Sequence, residues 1–141
     1  VTTVAYKNGE LAGDNLISCG SYRHSTFNKV LYIKGYHVGM CGELQDMHAF
    51  VKYVSEDFKE TPNLNEGFEA ILVRDGVVSM CDYKGLIYPV TLIDDCVAIG
   101  SGTPFALGAM AAGKDAKDAV AIAAKFDSGT GKEITVVNTR K

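Results

Sequence analysis

The sequence predicts an α+β sandwich: two sheets packed on each other with helices on the outside. Three observations carry that expectation. Three two-residue turns, Asn8-Gly9, Lys34-Gly35 and Asp75-Gly76, each separate runs that read as paired antiparallel strands. Helical patterns are gathered in two places, one mid-chain and one late, rather than alternating with every strand. The late pair is rich in alanine and glycine, so it can approach a sheet or a neighbouring subunit closely.

The 141 residues suit one domain with a real core, and 47% hydrophobic against 22% charged residues reads as globular. There is no internal repeat, low-complexity tract or linker, so residues 1–141 are expected to form a single domain.

The elements follow in order. Strands near 2–7 and 10–14 make the opening hairpin, extended by Leu16-Ile17-Ser18-Cys19; the polar stretch 20–28 reads as loop. Strands over 29–33 and 36–41 form a second hairpin. A helix begins close to Glu43, with Leu44, Met47, Phe50, Val51, Val54 and Phe58 at helical spacing and Gln45, Asp46, His48, Lys52 and Glu56 on the other face. It ends before Pro62, in a polar stretch, 59–67, that reads as loop. Strands over 68–73 and 77–81 flank Asp75-Gly76, and 86–90 and 96–99 are further short strands. Thr103-Pro104 reads as a cap before a first-turn proline, and that helix stops at Gly113. Asp115, with Asp118 three residues on, starts the next, whose buried stripe is Ala119, Val120, Ala123 and Phe126. A strand over 133–137 closes the fold.

Several function classes are disfavoured. A net charge of −3 gives no electrostatic footprint for nucleic acid. No apolar run approaches the ~18 residues of a spanning helix, and no basic-then-apolar leader opens the chain, so a cytoplasmic, non-membrane protein is expected. Cys19, Cys41, Cys81 and Cys96 stand far apart, as do His24, His37 and His48. That dispersion favours reduced, buried thiols over a disulfide frame or a zinc site, and no metal or cofactor is expected.

The chemistry is expected at the start of the chain. The Asn8-Gly9 hairpin brings Asp14 back towards Thr2. With nothing ahead of it, Thr2 would carry a hydroxyl and an α-amine on one residue, and that amine titrates near pH ~7.7–8.0. Such a pair is a nucleophile with its own base. Taken singly, Asp14 after Gly13 is an ordinary turn residue and Lys29 an ordinary strand end. Gly100-Ser101-Gly102-Thr103-Pro104 before a helix lacks the longer fingerprint of a dinucleotide cradle.

Taken together, these pieces resemble the proteasome-like threonine peptidases, most of all the bacterial HslV type, of the N-terminal-nucleophile hydrolase fold. The matching stretches are Thr2-Thr3-Val4 with Asn8-Gly9 and Gly13-Asp14; Asn28-Lys29-Val30; Val38-Gly39-Met40-Cys41-Gly42 before a helix; and, most specific, Ala98-Ile99-Gly100-Ser101-Gly102-Thr103-Pro104-Phe105-Ala106. The resemblance implies a four-layer αββα sandwich and peptide-bond hydrolysis. Thr2 falls on the catalytic threonine, Lys29 on the lysine that depresses the amine pKa, and Asp14 on the acid that orients that lysine. Gly42 falls on the oxyanion-hole glycine, and Ser101 on the serine beside the amine. Asp127 and Thr130 resemble the pair completing the amine's network. An extended polypeptide substrate would add as a strand between the segments around Ser18 and around Met40 to Gly42, with Met40 lining an apolar pocket for the residue before the cut. The family also implies homo-oligomeric rings fed by an ATP-driven unfoldase; no nucleotide site is read in the chain itself.

Two departures bear on this reading. The family carries two helices where this chain has one followed by 59–67, so one helical layer is expected to be reduced. Val1 precedes Thr2, and Thr2 has a free amine only when Val1 is removed. The competing readings are a non-catalytic proteasome-like structural subunit and another N-terminal-nucleophile amidohydrolase acting on small amides. The joint presence of Thr2, Asp14, Lys29 and Gly42 favours catalysis.

Overall fold

The computed structural model describes residues 2–19 and 22–140, and for residues 18, 19 and 22–24 the backbone alone. Strands β1 (Val4–Lys7) and β2 (Glu10–Asp14) form the opening hairpin across Asn8-Gly9, both at positive φ as that turn demands. The antiparallel strands β10 (Cys96–Ile99) and β11 (Ile134–Asn138) complete this sheet in the order β10-β1-β2-β11. The second sheet runs β5 (Val30–Ile33), β6 (Tyr36–Cys41), β7 (Glu69–Arg74), β8 (Val77–Asp82) and β9 (Ile87–Pro89), each strand antiparallel to the next.

The layering follows from strand alternation. Val4, Tyr6 and Leu11 on the first sheet meet Val30, Ile71 and Val73 on the second. Gly39 keeps the sheets close, since a Cβ there would meet the Val4 side chain. The opposite face of β1, β2 and β10 offers Ala5, Ala12 and Ala98 to helices α2 (Thr103–Ala111) and α3 (Ala116–Phe126). Alanine on both sides lets helices and sheet approach closely, as the composition predicts. On the far side Val38, Met40, Ala70 and Leu72 pack under helix α1 (Leu44–Ser55). The result is an αββα sandwich with two helices over one sheet and one over the other, the reduced layer that the sequence leads one to expect.

Several boundaries are corrected. The stretch 20–28 is not all loop: β3 (Leu16–Cys19) pairs with β4 (Tyr22–Thr26) as a separate two-stranded ribbon. Tyr22 and the β-hydroxy residues Ser25 and Thr26 suit a strand despite their polarity. Asp46, expected on the solvent face of α1, is buried, because 59–67 folds back and Asn65 donates to it. Phe58 lies beyond the helix at a φ of +60°, its ring edge-on to Tyr36 and Tyr53. Phe126 is 68% exposed rather than part of the α3 stripe. Gly102, not Thr103, is the N-cap of α2; Thr103 spends its hydroxyl on the Gly100 carbonyl at 2.7 Å. Asp115 caps α3 as predicted, accepting from the Asp118 N–H. A short 3-10 turn, Ile93–Asp95, precedes β10. Among the described residues no helix is long and apolar enough to cross a membrane.

Candidate active site

Five stretches converge at one end of the sandwich: Thr2 and Thr3 ahead of β1, Asp14 closing β2, Lys29 ahead of β5, the Gly100–Gly102 turn, and the loop 127–131 after α3. Thr2, Thr3, Asp14, Lys29 and Thr130 are all buried. A polar cluster inside a protein is stable only where each group has its partners, and here the partners can be followed atom by atom.

Lys29 Nζ, with no solvent exposure, contacts Thr2 Oγ1 and the Leu16 carbonyl at 2.6 Å each and Asp14 Oδ2 at 3.3 Å. An ammonium has three N–H bonds and no lone pair, so three acceptors satisfy it fully. Burial pushes this ammonium below the usual lysine range, and the Asp14 charge and hydrogen bond restore part of the loss. A cation that holds its proton less firmly than a surface lysine therefore points at the Thr2 hydroxyl.

Asp14 does more than pair with the lysine. Its Oδ1 accepts the Thr3 N–H at 2.9 Å, and its Oδ2 accepts the Gly131 N–H at 2.9 Å and the Leu16 N–H at 3.2 Å. The carboxylate thus ties three segments together.

The second half of the cluster is a chain of hydroxyls with one possible sense. Asp127 Oδ2 can only accept, and it does so from Ser101 Oγ at 2.7 Å and Thr130 Oγ1 at 2.6 Å. Each hydroxyl has one proton. Thr130 must therefore accept from Thr3 Oγ1, 2.7 Å away, and Ser101 must accept from the Thr2 N–H, 3.1 Å away. Burial works to raise the Asp127 carboxyl, but the hydrogen bonds from Thr130, Ser101 and the Gly129 backbone outweigh it and hold the group below the usual carboxylate range. The Gly100–Gly102 turn is moulded on the two threonines: a Cβ on Gly100 would strike the Thr2 carbonyl, and one on Gly102 the Thr3 hydroxyl. Gly102 N–H also donates to the Thr2 carbonyl at 3.3 Å.

Solved structures with this arrangement of layers exist. Eukaryotic HslV from Trypanosoma brucei is 21% identical, with a TM-score of 0.76 over 96% of this chain and 98% of that one. Thiobacillus denitrificans BPH is 19% identical, with a TM-score of 0.73 over 96% of each chain. The same protein in complex with Epoxomicin gives 19% and 0.74, over 96% of this chain and 97% of that one. The fold is that of the N-terminal-nucleophile hydrolases. No protein-family model matches the sequence, and no curated protein does.

On this N-terminal-nucleophile hydrolase fold, the structure brings together Thr2, Asp14, Lys29, Ser101, Asp127 and Thr130. Gly42 directly follows β6, at the same end of the sheet as Lys29, whose carbonyl accepts the Met40 N–H at 2.9 Å. Its φ of +134° is one that few residues other than glycine adopt. Met40 itself is 0% exposed, among Val38, Met47 and Phe50, so it packs the core rather than lining an open pocket. Ser18 lies on β3 beside a bulge, with its side chain outside the described residues, as is all of Val1. A groove of about 360 Å³ borders Leu16, Thr26, Gly131 and Lys132, next to the cluster. Among the described residues no group of three or more His, Cys, Asp or Glu is placed to hold a metal.

The sequence reading missed Thr3, which closes the hydroxyl chain, and the reason for Gly100 and Gly102. The signal was present: two adjacent threonines at a strand start, and glycines on both sides of a serine.

Proposed function

We propose that the chain is a proteasome-like threonine peptidase, of HslV type, acting in the form in which Thr2 is the first residue. The observation that carries this reading is the 2.6 Å contact between Lys29 Nζ and Thr2 Oγ1, with Asp14 behind the lysine. Thr2 Oγ attacks the scissile carbonyl carbon, and its proton passes to the Thr2 amine, directly or through a water. The oxyanion forms at the Gly42 N–H, where one donor is typically worth ~10²–10³ in rate. Collapse breaks the C–N bond, the leaving amine takes the proton, and water then hydrolyses the ester on Thr2. Lys29 stabilises the developing alkoxide. Ser101, whose proton is committed to Asp127, accepts an N–H from the amine and leaves its lone pair for the hydroxyl proton.

Substrate is an unfolded polypeptide that adds as a strand between β3 near Ser18 and the β6 end at Gly42. The working form is a homo-oligomeric ring served by an ATP-dependent unfoldase in the cytoplasm. Helix α2 carries no charged residue, its Phe105 and Leu107 are exposed, and Phe126 at the end of α3, also exposed, stacks on Phe105 at 5.6 Å. An apolar face of this kind suits contact between copies.

A non-catalytic structural subunit is the second reading, and one observation favours it: Thr2 is only 2% exposed, in a chain with Val1 ahead of it. Intact mass, before and after an electrophile that needs a hydroxyl and a free amine on one residue, separates the two. The peptidase begins at Thr2, gains one inhibitor mass, and loses hydrolysis of short fluorogenic peptides in Thr2→Ala with its fold intact. A chain that keeps Val1 and takes no label is the structural subunit.

A further inference from the structure

The segment between α1 and β7 contains no helix, yet one of its residues is tightly fastened to the turn carrying Gly42. Asn65 donates its backbone N–H to Asp46 Oδ2 at 3.2 Å. Its Nδ2 donates to Glu43 Oε2 at 3.0 Å and to the Asp46 carboxylate at 3.2 and 3.4 Å. Both neighbours are carboxylates, so the amide must face them with its NH2 group. The Asn65 carbonyl accepts the Phe68 N–H at 3.2 Å. Phe68, buried, stands directly behind Gly42, where a Cβ would lie 3.2 Å from Phe68 Cα.

One exposed residue therefore grips the Gly42 turn from two sides, through Glu43 just after it and through Phe68 behind it. We propose that Asn65 is a positioning residue for the Gly42 backbone N–H, an inference that rests on the peptidase reading above. The physical reason is the freedom of glycine. Gly42 has no side chain to fix its φ of +134°, so its N–H keeps a direction only if its neighbours are held. A donor for a developing charge is effective only when it is already aimed. Glu43, the N-cap, and Asp46, in the first turn, put two carboxylates at the start of α1, and the Asn65 amide holds both towards the loop.

The test is Asn65→Ala, which keeps the backbone bond to Asp46 and removes every Nδ2 bond from an exposed position, so folding is not at stake. In the form beginning at Thr2, kcat for a short fluorogenic peptide should fall about 10-fold with KM within about twofold, part of the ~10²–10³ that one donor supplies. Hydrogen exchange at the Asp46 and Met47 amides, which both donate to the Glu43 carbonyl and whose reading needs no turnover, should quicken about 10-fold, the loss of one anchoring contact. Unchanged exchange overturns the inference, as does faster exchange with kcat untouched or a change confined to KM. If the wild-type chain hydrolyses no peptide, the peptidase reading fails, and the exchange result alone decides whether Asn65 holds the turn.

Discussion

Replacing Asp14 by Asn tests the centre of the cluster, because the amide is nearly the same shape and wrong in two definable ways. Asp14 accepts on both oxygens: one donor at Oδ1 and three at Oδ2. An Asn side chain settles with its oxygen towards the three donors and its NH2 against the Thr3 N–H, leaving that buried donor unpaired. An unsatisfied buried N–H costs about 1–3 kcal/mol. Removing one partner of a buried ion pair costs about 3–5 kcal/mol. Loss of the Asp14 charge removes the largest influence that holds the Lys29 pKa up against burial, so its folded value falls further. The low ends of the two ranges add to about 4 kcal/mol. At about 2–4 °C per kcal/mol for a chain near this size, Tm falls by about 8–16 °C.

Guanidinium unfolding at pH 7 measures it, as a shift in midpoint with m unchanged. The sign of the pH dependence is fixed. The variant's folded Lys29 pKa lies further below its unfolded value, so between those two pKa values the unfolded chain binds more protons. Stability there rises with pH, and the gap to wild type narrows towards pH ~10, near the ordinary lysine pKa. Adding Lys29→Met should reveal a coupling of about 1–3 kcal/mol between the two sites. A loss below about 1 kcal/mol at pH 7, against the ~3–5 kcal/mol typical of a broken buried pair, or a gap that widens with pH, refutes this account of the pair.

Gly102→Ala drives a methyl group into the Thr3 hydroxyl; it should cost about 1–3 kcal/mol as overpacking and abolish covalent labelling of Thr2, both read on the purified protein. The stability that Asp127 contributes over Asp127→Asn is present above the unfolded carboxylate pKa of ~3.9 and is lost as pH falls through its lowered folded value. Chemical denaturation at stepped pH should show the two proteins converging in acid; a constant difference would contradict the hydrogen-bond account of the depressed carboxyl. Burial pushes the Cys41 and Cys81 thiols up to about 12, so native protein at neutral pH should be alkylated at neither, as peptide mapping will show.

What the sequence made legible was local chemistry. Asn8-Gly9, Asp75-Gly76 and the Asp115 cap are complete within a few residues, and each folds as its own chemistry dictates. Thr2, Asp14, Lys29, Ser101, Asp127 and Thr130 could be singled out through a resemblance that runs along the chain, and the geometry brings all six together. What could not be read depends on contacts across the fold. Nothing near Asp46 announces that Asn65 will cover it, and Tyr22–Thr26 is a strand only because β3 lies beside it. Thr3 is an ordinary β-branched residue until Thr130 arrives from the other end of the sequence.

The helix-free connection between α1 and β7 sets where this domain can change its length. It begins with two successive left-handed positions, Asp57 and Phe58, and then runs largely exposed over 59–63 before Leu64 turns into the core. Lengthening a connection of this kind adds only slowly to its closure entropy, about 0.6 kcal/mol for each doubling. Insertions between Lys59 and Asn63, where every residue but Pro62 is exposed, should leave the threonine cluster undisturbed. Leu64, buried in the core under α1, and Asn65 after it mark the end of that tolerance: the residues from 59 to 63 can vary in number, and these two are committed.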